Sequence, residues 1–309
     1  MLLGIGSKIN QNLKIENIKL KSSSLFFRLL QLSAFTVLLG RAWQHLYWDA
    51  PFRTFFWDEQ LLSGLVERFS TMDWETYITS MEVDNAIGNS IKIFGLFYLV
   101  ASLVTLFIPK LPRPFHHVLI LSSLALITLA LLYCKERFFS IGQFFEYTLQ
   151  FGSPFFLWWW LRYENPISIS SNFIKGLKIA IALTFTCHGL YAIGYYPIPV
   201  QFMEMTMNIL GVTEELAKTI LTTAGILDFA VALGIFLPWK WARFFLLYAV
   251  LWGFGTTIAR VWANFNWEWL DYVLLQWLHE SVMRMPHFLI PLAVLIVGYQ
   301  RMHATDLTN

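Results

Sequence analysis

Two titratable residues lie deep in apolar segments and are the first candidates for a chemical role. His188 lies within 177–196 and Asp228 within 219–237. If both segments are helices, His188 is about 17 Å from its segment's start and Asp228 is near the middle of its own. An ionisable residue inside lipid is costly and is a functional-site hypothesis by default.

These residues suggest acid–base chemistry on a carbonyl. We expect His188 or Arg260 to partner the Asp228 carboxyl, since a buried acid needs a nearby cation. An acid and an imidazole in contact could protonate and orient a substrate carbonyl, with Arg260 holding negative charge. The three are therefore predicted as catalytic residues. The alternative is an inter-helix hydrogen bond that only fixes packing.

A second polar group recurs at helical spacing near the predicted outer surface. Arg41, His45 and Asp49 follow one another at four-residue intervals, so a helix would place them on one face. Glu280 and Arg284 have the same spacing. We predict a substrate-binding polar rim around an outward-facing mouth; an ordinary belt of snorkelling side chains is the alternative. The predicted substrate-binding residues are Arg41, His45, Asp49, Tyr191, Glu280, Arg284 and His287.

Metal and thiol chemistry have weaker signals. Methionines alternate at 203, 205 and 207, and thioethers suit Cu(I). In a helix, however, the middle one faces away from the other two, and 200–210 also fits an amphipathic helix on the membrane interface. Cys187 beside His188 is not a C-x-x-C motif. No metal ligands are predicted.

The elements that must position these residues are membrane helices. Of the 309 residues, 57% are hydrophobic and 14% charged, and the mean hydropathy is +0.54. An average globular protein has about 25% charged residues, so a soluble class is excluded. The net charge of +2 is too small and dispersed for a nucleic-acid binder. Two cysteines exclude a disulfide scaffold.

The apolar segments predict an all-α polytopic membrane protein with about eight spans. A span needs about 20 mostly apolar residues and must be helical, because lipid offers no partner to free backbone groups. The predicted spans are 25–47, 91–109, 116–134, 147–161, 177–196, 219–237, 243–262 and 282–299.

Charge predicts the orientation. Segment 1–24 carries four lysines, and the even-numbered spans are followed by Lys or Arg. The positive-inside rule then places both termini in the cytoplasm. The outer segment 49–90 is acidic. The basic N-terminal segment either rests on anionic lipid or is a solvated tail. In a bacterium we expect the inner membrane, because an outer-membrane location favours a barrel.

The two halves of the chain share a plan. FGLFYLVASLVTLFIPK (94–110) resembles AGILDFAVALGIFLPWK (224–240), and Glu146 occupies the place of Glu280. Four helices per half give parallel repeats, and matched interruptions at Pro154 and Pro286 point to a binding site between them. The predicted divisions are 1–24 (basic segment), 25–162 (first repeat), 163–176 (linker), 177–300 (second repeat) and 301–309 (tail).

The second half resembles the DoxX-like membrane family. The resemblance is carried by His188-Gly189, by prolines at 197 and 199, and by Gly225-Ile226-Leu227-Asp228 in a segment that closes at Pro238. The family often has Gly-x-x-Glu where Asp228 stands, and the first half has Tyr98 there. The resemblance implies a compact helical bundle, and some members are membrane subunits of quinone-linked oxidoreductases.

Three functions follow as hypotheses. The first is a quinone- or lipid-interacting subunit of a membrane redox system, with quinone as the candidate cofactor and a redox subunit or periplasmic protein as the candidate partner. The second is a small-molecule transporter, suggested by the repeats and interrupted helices. The third is a non-catalytic assembly partner that docks other proteins through its acidic outer segments.

Overall fold

The computed structural model describes residues 2–164 and 168–306, with side chains for 23–164 and 168–302. Parts of the predicted linker (165–167) and of the predicted tail (307–309) lie outside the described residues. The secondary structure of the described residues is helical, as predicted. The α-helices are α1 (Leu2–Tyr47), α2 (Arg53–Phe56), α3 (Glu59–Phe69), α4 (Trp74–Thr79), α5 (Met81–Phe107), α6 (His117–Glu136), α7 (Ile141–Glu146), α8 (Thr148–Tyr163), α9 (Ser171–Ala192), α10 (Val200–Leu210), α11 (Glu214–Gly234), α12 (Trp239–Trp262), α13 (Leu270–Arg284) and α14 (Pro286–Asp306).

Seven helical segments in the described part of the chain are long and apolar enough to cross a membrane, which indicates an integral membrane protein. They are Ser23–Tyr47, Met81–Lys110, Arg113–Glu136, Ser171–Ala192, Glu214–Gly234, Trp239–Trp262 and Leu270–Met302. The predicted span 147–161 corresponds to α8, which has only 16 residues. The predicted basic segment 1–24 continues into the first span, because α1 begins at Leu2.

Two helical segments are interrupted, but only one interruption falls at the predicted proline. Pro286 is the first residue of α14, directly after the break from α13. Pro154 instead lies inside α8, and the break from α7 comes earlier, at Tyr147. The prediction for Pro154 is therefore wrong in position. Each break directly follows a charged residue, Glu146 in one segment and Arg284 in the other.

Helices α1 and α9 lie at the centre of the bundle. Helix α1 contacts α5, α8, α13 and α14, and α9 contacts α7, α8, α11 and α14. Fully buried residues from α1, α8 and α9, among them Phe26, Leu157 and Phe173, form one hydrophobic cluster with residues of α14. The polar residues of α1 and α9 are thereby carried into the interior.

One glycine permits the close approach of α12 and α14. A Cβ atom on Gly253 would lie 2.6 Å from the backbone oxygen of His287, too close for any side chain without a shift of the backbone. Gly255 is on the same helix, and a Cβ there would meet nothing within 4 Å. Substitutions at Gly253 and Gly255 therefore distinguish the effect of steric packing from the effect of the low helix propensity of glycine.

The outer segment between α1 and α5 is tied to the bundle by an ion pair. Asp58 caps α3 by accepting a hydrogen bond from the backbone N–H of Leu61 at 3.0 Å. Its carboxylate also pairs with Lys135 near the end of α6. The hydrogen bond from Lys135 is the main reason that the pKa of Asp58 lies below its ordinary value of 3.8. Ala50 and Phe52 anchor the start of this segment in a hydrophobic cluster, but no residue of α3 is buried, so α3 itself has little apolar packing to support the tether.

Replacing Gly253 with Ala should destabilise the protein by about 1–3 kcal/mol, because the added methyl group overpacks the α12–α14 contact. Thermal unfolding in detergent measures the effect. Gly255→Ala is the matched control and should leave the melting temperature unchanged or slightly raised. Equal melting temperatures for the two variants would show that α12 and α14 do not pack as described.

The tether of α3 should persist when the medium is mildly acidified. Since the pKa of Asp58 is lowered, the pair contributes above the ordinary pKa and is lost as pH falls through the lowered value. We expect intrinsic-rate-corrected amide exchange in α3 to stay constant from neutral to mildly acidic pH. In Lys135→Gln, amide exchange in α3 should be faster than in the wild type at neutral and at mildly acidic pH. In the exposed control Lys92→Gln it should be unchanged. Equal exchange in both variants would contradict the tether.

Candidate functional site

A cavity of about 260 Å³ opens among α9, α10, α11, α12 and the end of α13. Most of its wall is apolar, with Phe202, Ile209, Leu221 and Ala259 among the lining residues. Such a cavity, with a few convergent polar groups, is the usual form of a small-molecule site. The charged or titratable side chains on its wall are His188, Asp228, Arg260 and Arg284.

The three predicted catalytic residues do share this cavity, but Asp228 is not paired as predicted. Its side chain on α11 is 2% exposed. Its Oδ1 atom has no hydrogen-bond partner among the described residues, and Trp252 lies beside the carboxyl. Neither His188 nor Arg260 makes an ion pair with it; each is held by a different acid. The expectation of an Asp228–His188 or Asp228–Arg260 pair is therefore wrong.

The partner of His188 is Glu146, the last residue of α7. His188 Nε2 lies 3.2 Å from Glu146 Oε1, and Arg284 donates to the same oxygen at 3.2 Å. Gln143 donates to the other carboxylate oxygen at 3.1 Å. Glu146 is 7% exposed, so one buried carboxylate serves a histidine and an arginine from the second half of the chain.

His287 and Tyr191 extend this cluster. The His287 ring stacks on His188 with centroids 5.3 Å apart and planes within 10°. Its Nδ1 lies 2.8 Å from the Arg284 carbonyl oxygen, whereas its Nε2 has no partner among the described residues. The Tyr191 hydroxyl donates to Gln143 at 3.3 Å. Both predicted residues thus adjoin His188, although neither is part of the cavity wall.

Arg260 is fixed by groups from two other helices. It is 4% exposed and donates to Glu280 Oε2 on α13 at 2.6 Å and to Gln201 Oε1 on α10 at 2.7 Å. A buried arginine costs several kcal/mol unless it is paired and hydrogen-bonded in this way. Arg260 was predicted as a catalytic residue and Glu280 as a substrate-binding residue. In the structure the two form an ion pair.

The electrostatics of the cavity are asymmetric. The guanidinium groups of Arg260 and Arg284 reach its wall, but Glu280 and Glu146, which pair with them, do not line it. The wall therefore includes two arginines, and Asp228 contributes a buried carboxyl whose Oδ1 has no partner among the described residues. It is suited to a ligand whose head group carries oxygen acceptors or negative charge.

Arg41 and His45 form a separate cluster away from the cavity. Arg41 is 2% exposed and donates to Gln44 and Gln150, each at 2.7 Å, and its guanidinium lies over the Tyr133 and Tyr147 rings at 5.4 and 5.0 Å. No carboxylate of the described residues pairs with it. Amide oxygens and aromatic faces thus hold this buried cation.

The predicted rim is therefore not one ring. His45 is buried, with Nδ1 2.7 Å from the Arg41 carbonyl oxygen and its ring against Tyr98. Asp49 lies beyond the end of α1, is exposed and pairs with Arg53 at 2.8 Å. Only Arg284 lines the cavity among the six predicted residues Arg41, His45, Asp49, Glu280, Arg284 and His287. A role of the first three in substrate binding stays a prediction. Pro51 was the available signal that the helix ends before Asp49, since the residue before a proline disfavours helix.

Helix α10 forms over 200–210, the segment predicted as an amphipathic interfacial helix, and one of its faces lines the cavity. Phe202, Met205, Thr206 and Ile209 line it, and Gln201 holds Arg260. No group of three or more His, Cys, Asp or Glu side chains in the described residues is arranged to hold a metal ion. Gln143 and Gln201 were not predicted as site residues; Gln201 bonds Arg260, 59 residues away, and Gln143 bonds Tyr191, 48 residues away, besides its neighbour Glu146.

Comparison with known proteins adds no relative. No protein-family model matches the chain, and neither curated protein sequences nor solved structures give a match. The resemblance to the DoxX-like family stays a prediction.

Replacing Glu146 with Gln should destabilise the protein by about 3–5 kcal/mol, because Arg284 is left buried without a counter-ion. Thermal unfolding in detergent measures this, with the exposed Glu136→Gln as the control. The double variant Glu146→Gln with Arg284→Gln should recover part of the loss. If Glu146→Gln unfolds at the wild-type temperature, the carboxylate is not the partner described.

Proposed function

We propose that this chain is a subunit of a membrane redox system and binds a lipid-soluble ligand of the quinone class in the cavity between α9 and α12. The observation that carries the proposal is the apolar cavity wall, interrupted by Arg260, Arg284, His188 and Asp228. A quinone has carbonyl oxygens on a largely apolar ring, and its isoprenoid tail partitions into lipid. The chemistry of the wall matches both parts.

Each polar group has a distinct role in this proposal. The two guanidinium groups donate to a quinone oxygen and stabilise the negative charge that reduction places there. Reduction of a quinone to its quinol takes two electrons, supplied by a partner redox subunit, and two protons. Asp228 and His188 are the groups on the wall that exchange protons. The Oδ1 atom of Asp228 is buried without a hydrogen-bond partner among the described residues.

The pattern of helix contacts supports a tandem four-helix organisation. The pairs α1–α5 and α6–α8 in the first half correspond to α9–α11 and α12–α14 in the second. Across the halves, α1 contacts α13 and α14, while α9 contacts α7 and α8. Exchanging the halves therefore reproduces the contacts. Together, α7 and α8 would form the fourth crossing, which brings the total to eight. The chain would then be a DoxX-like protein with parallel repeats over 25–162 and 177–300.

Charge gives the proposed orientation. An even number of crossings puts the two termini on one side, and the positive-inside rule makes that side the cytoplasm. If the source is bacterial, the membrane is the inner one. A partner redox subunit or periplasmic protein would then have the acidic segment 49–90 available on the opposite face.

The interrupted helices favour a transporter as the second candidate. Glu146 and Arg284 are the last residues of α7 and α13, and they bind each other at 3.2 Å across the two breaks. Broken helices at a repeat interface are typical of transporter binding sites. Solute uptake into proteoliposomes that is lost in Asp228→Asn would favour this candidate over the quinone site.

Filling the cavity should abolish quinone binding. Gly255 lines the cavity with open space around it, so Gly255→Phe adds a ring there without disturbing the ion pairs. Gly88→Phe is the matched control, because Gly88 on α5 is equally unobstructed and is not a lining residue. A short-chain ubiquinone or menaquinone analogue is titrated against each purified protein.

We expect Gly255→Phe to weaken analogue binding at least about tenfold, or about 1.4 kcal/mol, with an unchanged melting temperature. Gly88→Phe should bind as the wild type does. Absence of analogue binding by the wild-type protein, or equal binding by all three proteins, would reject the quinone site.

A further inference from the structure

A basic recess lies at one end of the bundle, between the start of α6 and the end of α8. Its volume is about 460 Å³. Its wall is formed by the short 3₁₀ helix Arg113–His116, by His117 at the start of α6 and by the last turns of α8. None of its lining residues also lines the cavity described above, so the recess is independent of the proposed quinone site.

The recess is positively charged. Arg113 and Arg162 line it, and no acidic residue is among the lining residues. Both arginines are exposed, and neither forms an ion pair with any of the described residues. Glu164 is the acid nearest to Arg162 in the chain, but its carboxylate accepts two hydrogen bonds from Ser170, each at 2.7 Å. Two guanidinium groups thus share one recess without a carboxylate partner in the described part of the chain.

Two observations indicate that the recess lies at the membrane boundary. Trp158 and Tyr163 line it and pack edge to face, with ring centroids 5.6 Å apart. Tryptophan and tyrosine are enriched at the level of lipid head groups. Arg113 is also the first residue of a segment, Arg113–Glu136, that is long and apolar enough to cross a membrane. The recess therefore opens where this segment begins.

An exposed apolar stripe runs along α6 from the recess towards the middle of the helix. His117 lines the recess, and Leu121 and Leu124 follow it at i+4 and i+7, so the three lie on one helical face. Leu121 and Leu124 are 56% and 55% exposed, and Leu131, two turns further along, is 54% exposed. A lipid with its head group in the recess would thus have apolar surface for an acyl chain next to it.

We propose that this recess binds the head group of an anionic phospholipid. The phosphate oxygens would accept hydrogen bonds from the guanidinium groups of Arg113 and Arg162, whose planar forks suit phosphate. An acyl chain would follow the stripe of Leu121 and Leu124 on α6. Basic recesses between transmembrane helices are suited to anionic head groups. The adjoining stripe favours a lipid over a soluble phosphate, which has no acyl chain to place there.

The test compares lipids and variants in the intact protein. Native mass spectrometry of the full-length protein in mild detergent follows adducts with added dioleoyl phosphatidylglycerol and with dioleoyl phosphatidylcholine. Arg113→Gln and Arg162→Gln each remove one charge of the recess, and the double variant removes both. Arg28→Gln is the control, because Arg28 on α1 is an exposed arginine that does not line the recess. It belongs to the same end of the bundle, since the Phe26 and Trp160 ring centroids are 5.0 Å apart.

The wild type and Arg28→Gln should both prefer phosphatidylglycerol. Arg113→Gln and Arg162→Gln should each weaken phosphatidylglycerol binding about fivefold, the effect of about 1 kcal/mol per basic residue near an anionic surface. The double variant should bind the two lipids equally, with phosphatidylcholine binding unchanged from the wild type. Circular dichroism and size-exclusion chromatography establish that each variant is folded.

Three results would overturn the proposal. The first is equal binding of the two lipids by the wild type. The second is an equal loss of phosphatidylglycerol binding in Arg28→Gln and in the two recess variants, which would mean a diffuse surface effect. The third is displacement of phosphatidylglycerol by inorganic phosphate at comparable concentration, which would assign the recess to a soluble anion. None of these results bears on quinone binding in the other cavity.

Discussion

The Glu146 carboxylate is the interaction on which the candidate site depends. Its Oε1 atom lies 3.2 Å from both His188 and Arg284. Glu146 is the last residue of the six-residue helix α7. Ionisable groups buried among apolar helices are costly unless they are paired and hydrogen-bonded. Glu146 belongs to the first half and its partners to the second, so this pairing joins the first half to two residues of the cavity wall.

This pairing also determines what the cavity presents to a ligand. The carboxylates of Glu146 and Glu280 lie behind the wall and neutralise Arg284 and Arg260 from outside it. Their guanidinium groups are held at fixed positions, so a ligand would meet preorganised donors without a cost of reorganisation. Asp228 differs from them, because its buried oxygen lacks a partner among the described residues. The proposal of a binding site, instead of a polar belt at the helix ends, therefore depends on the apolar wall that surrounds these groups.

The sequence allowed most of the spans to be predicted, because hydropathy depends only on local order. Seven of the eight predicted spans correspond to helical segments of the described residues that are long and apolar enough to cross a membrane, and His188 and Asp228, placed by helical rise, line the same cavity. The pairings could not be predicted in this way. The partner of His188 is 42 residues away in the chain, and one of the two glutamines that bind Arg41 is 109 away. Such contacts depend on which helices pack together. The periodicity within one segment carries no information about that packing.

The most direct test of the quinone assignment is the ligand that the protein carries from its own membrane. Protein extracted in mild detergent is denatured and its released small molecules are identified by mass spectrometry, with the cavity-filled Gly255→Phe protein prepared in parallel. The account predicts a stoichiometric lipid-soluble carbonyl compound in the wild-type preparation that is depleted in the variant. Identical membrane phospholipids in both preparations, with no such compound in either, would contradict it.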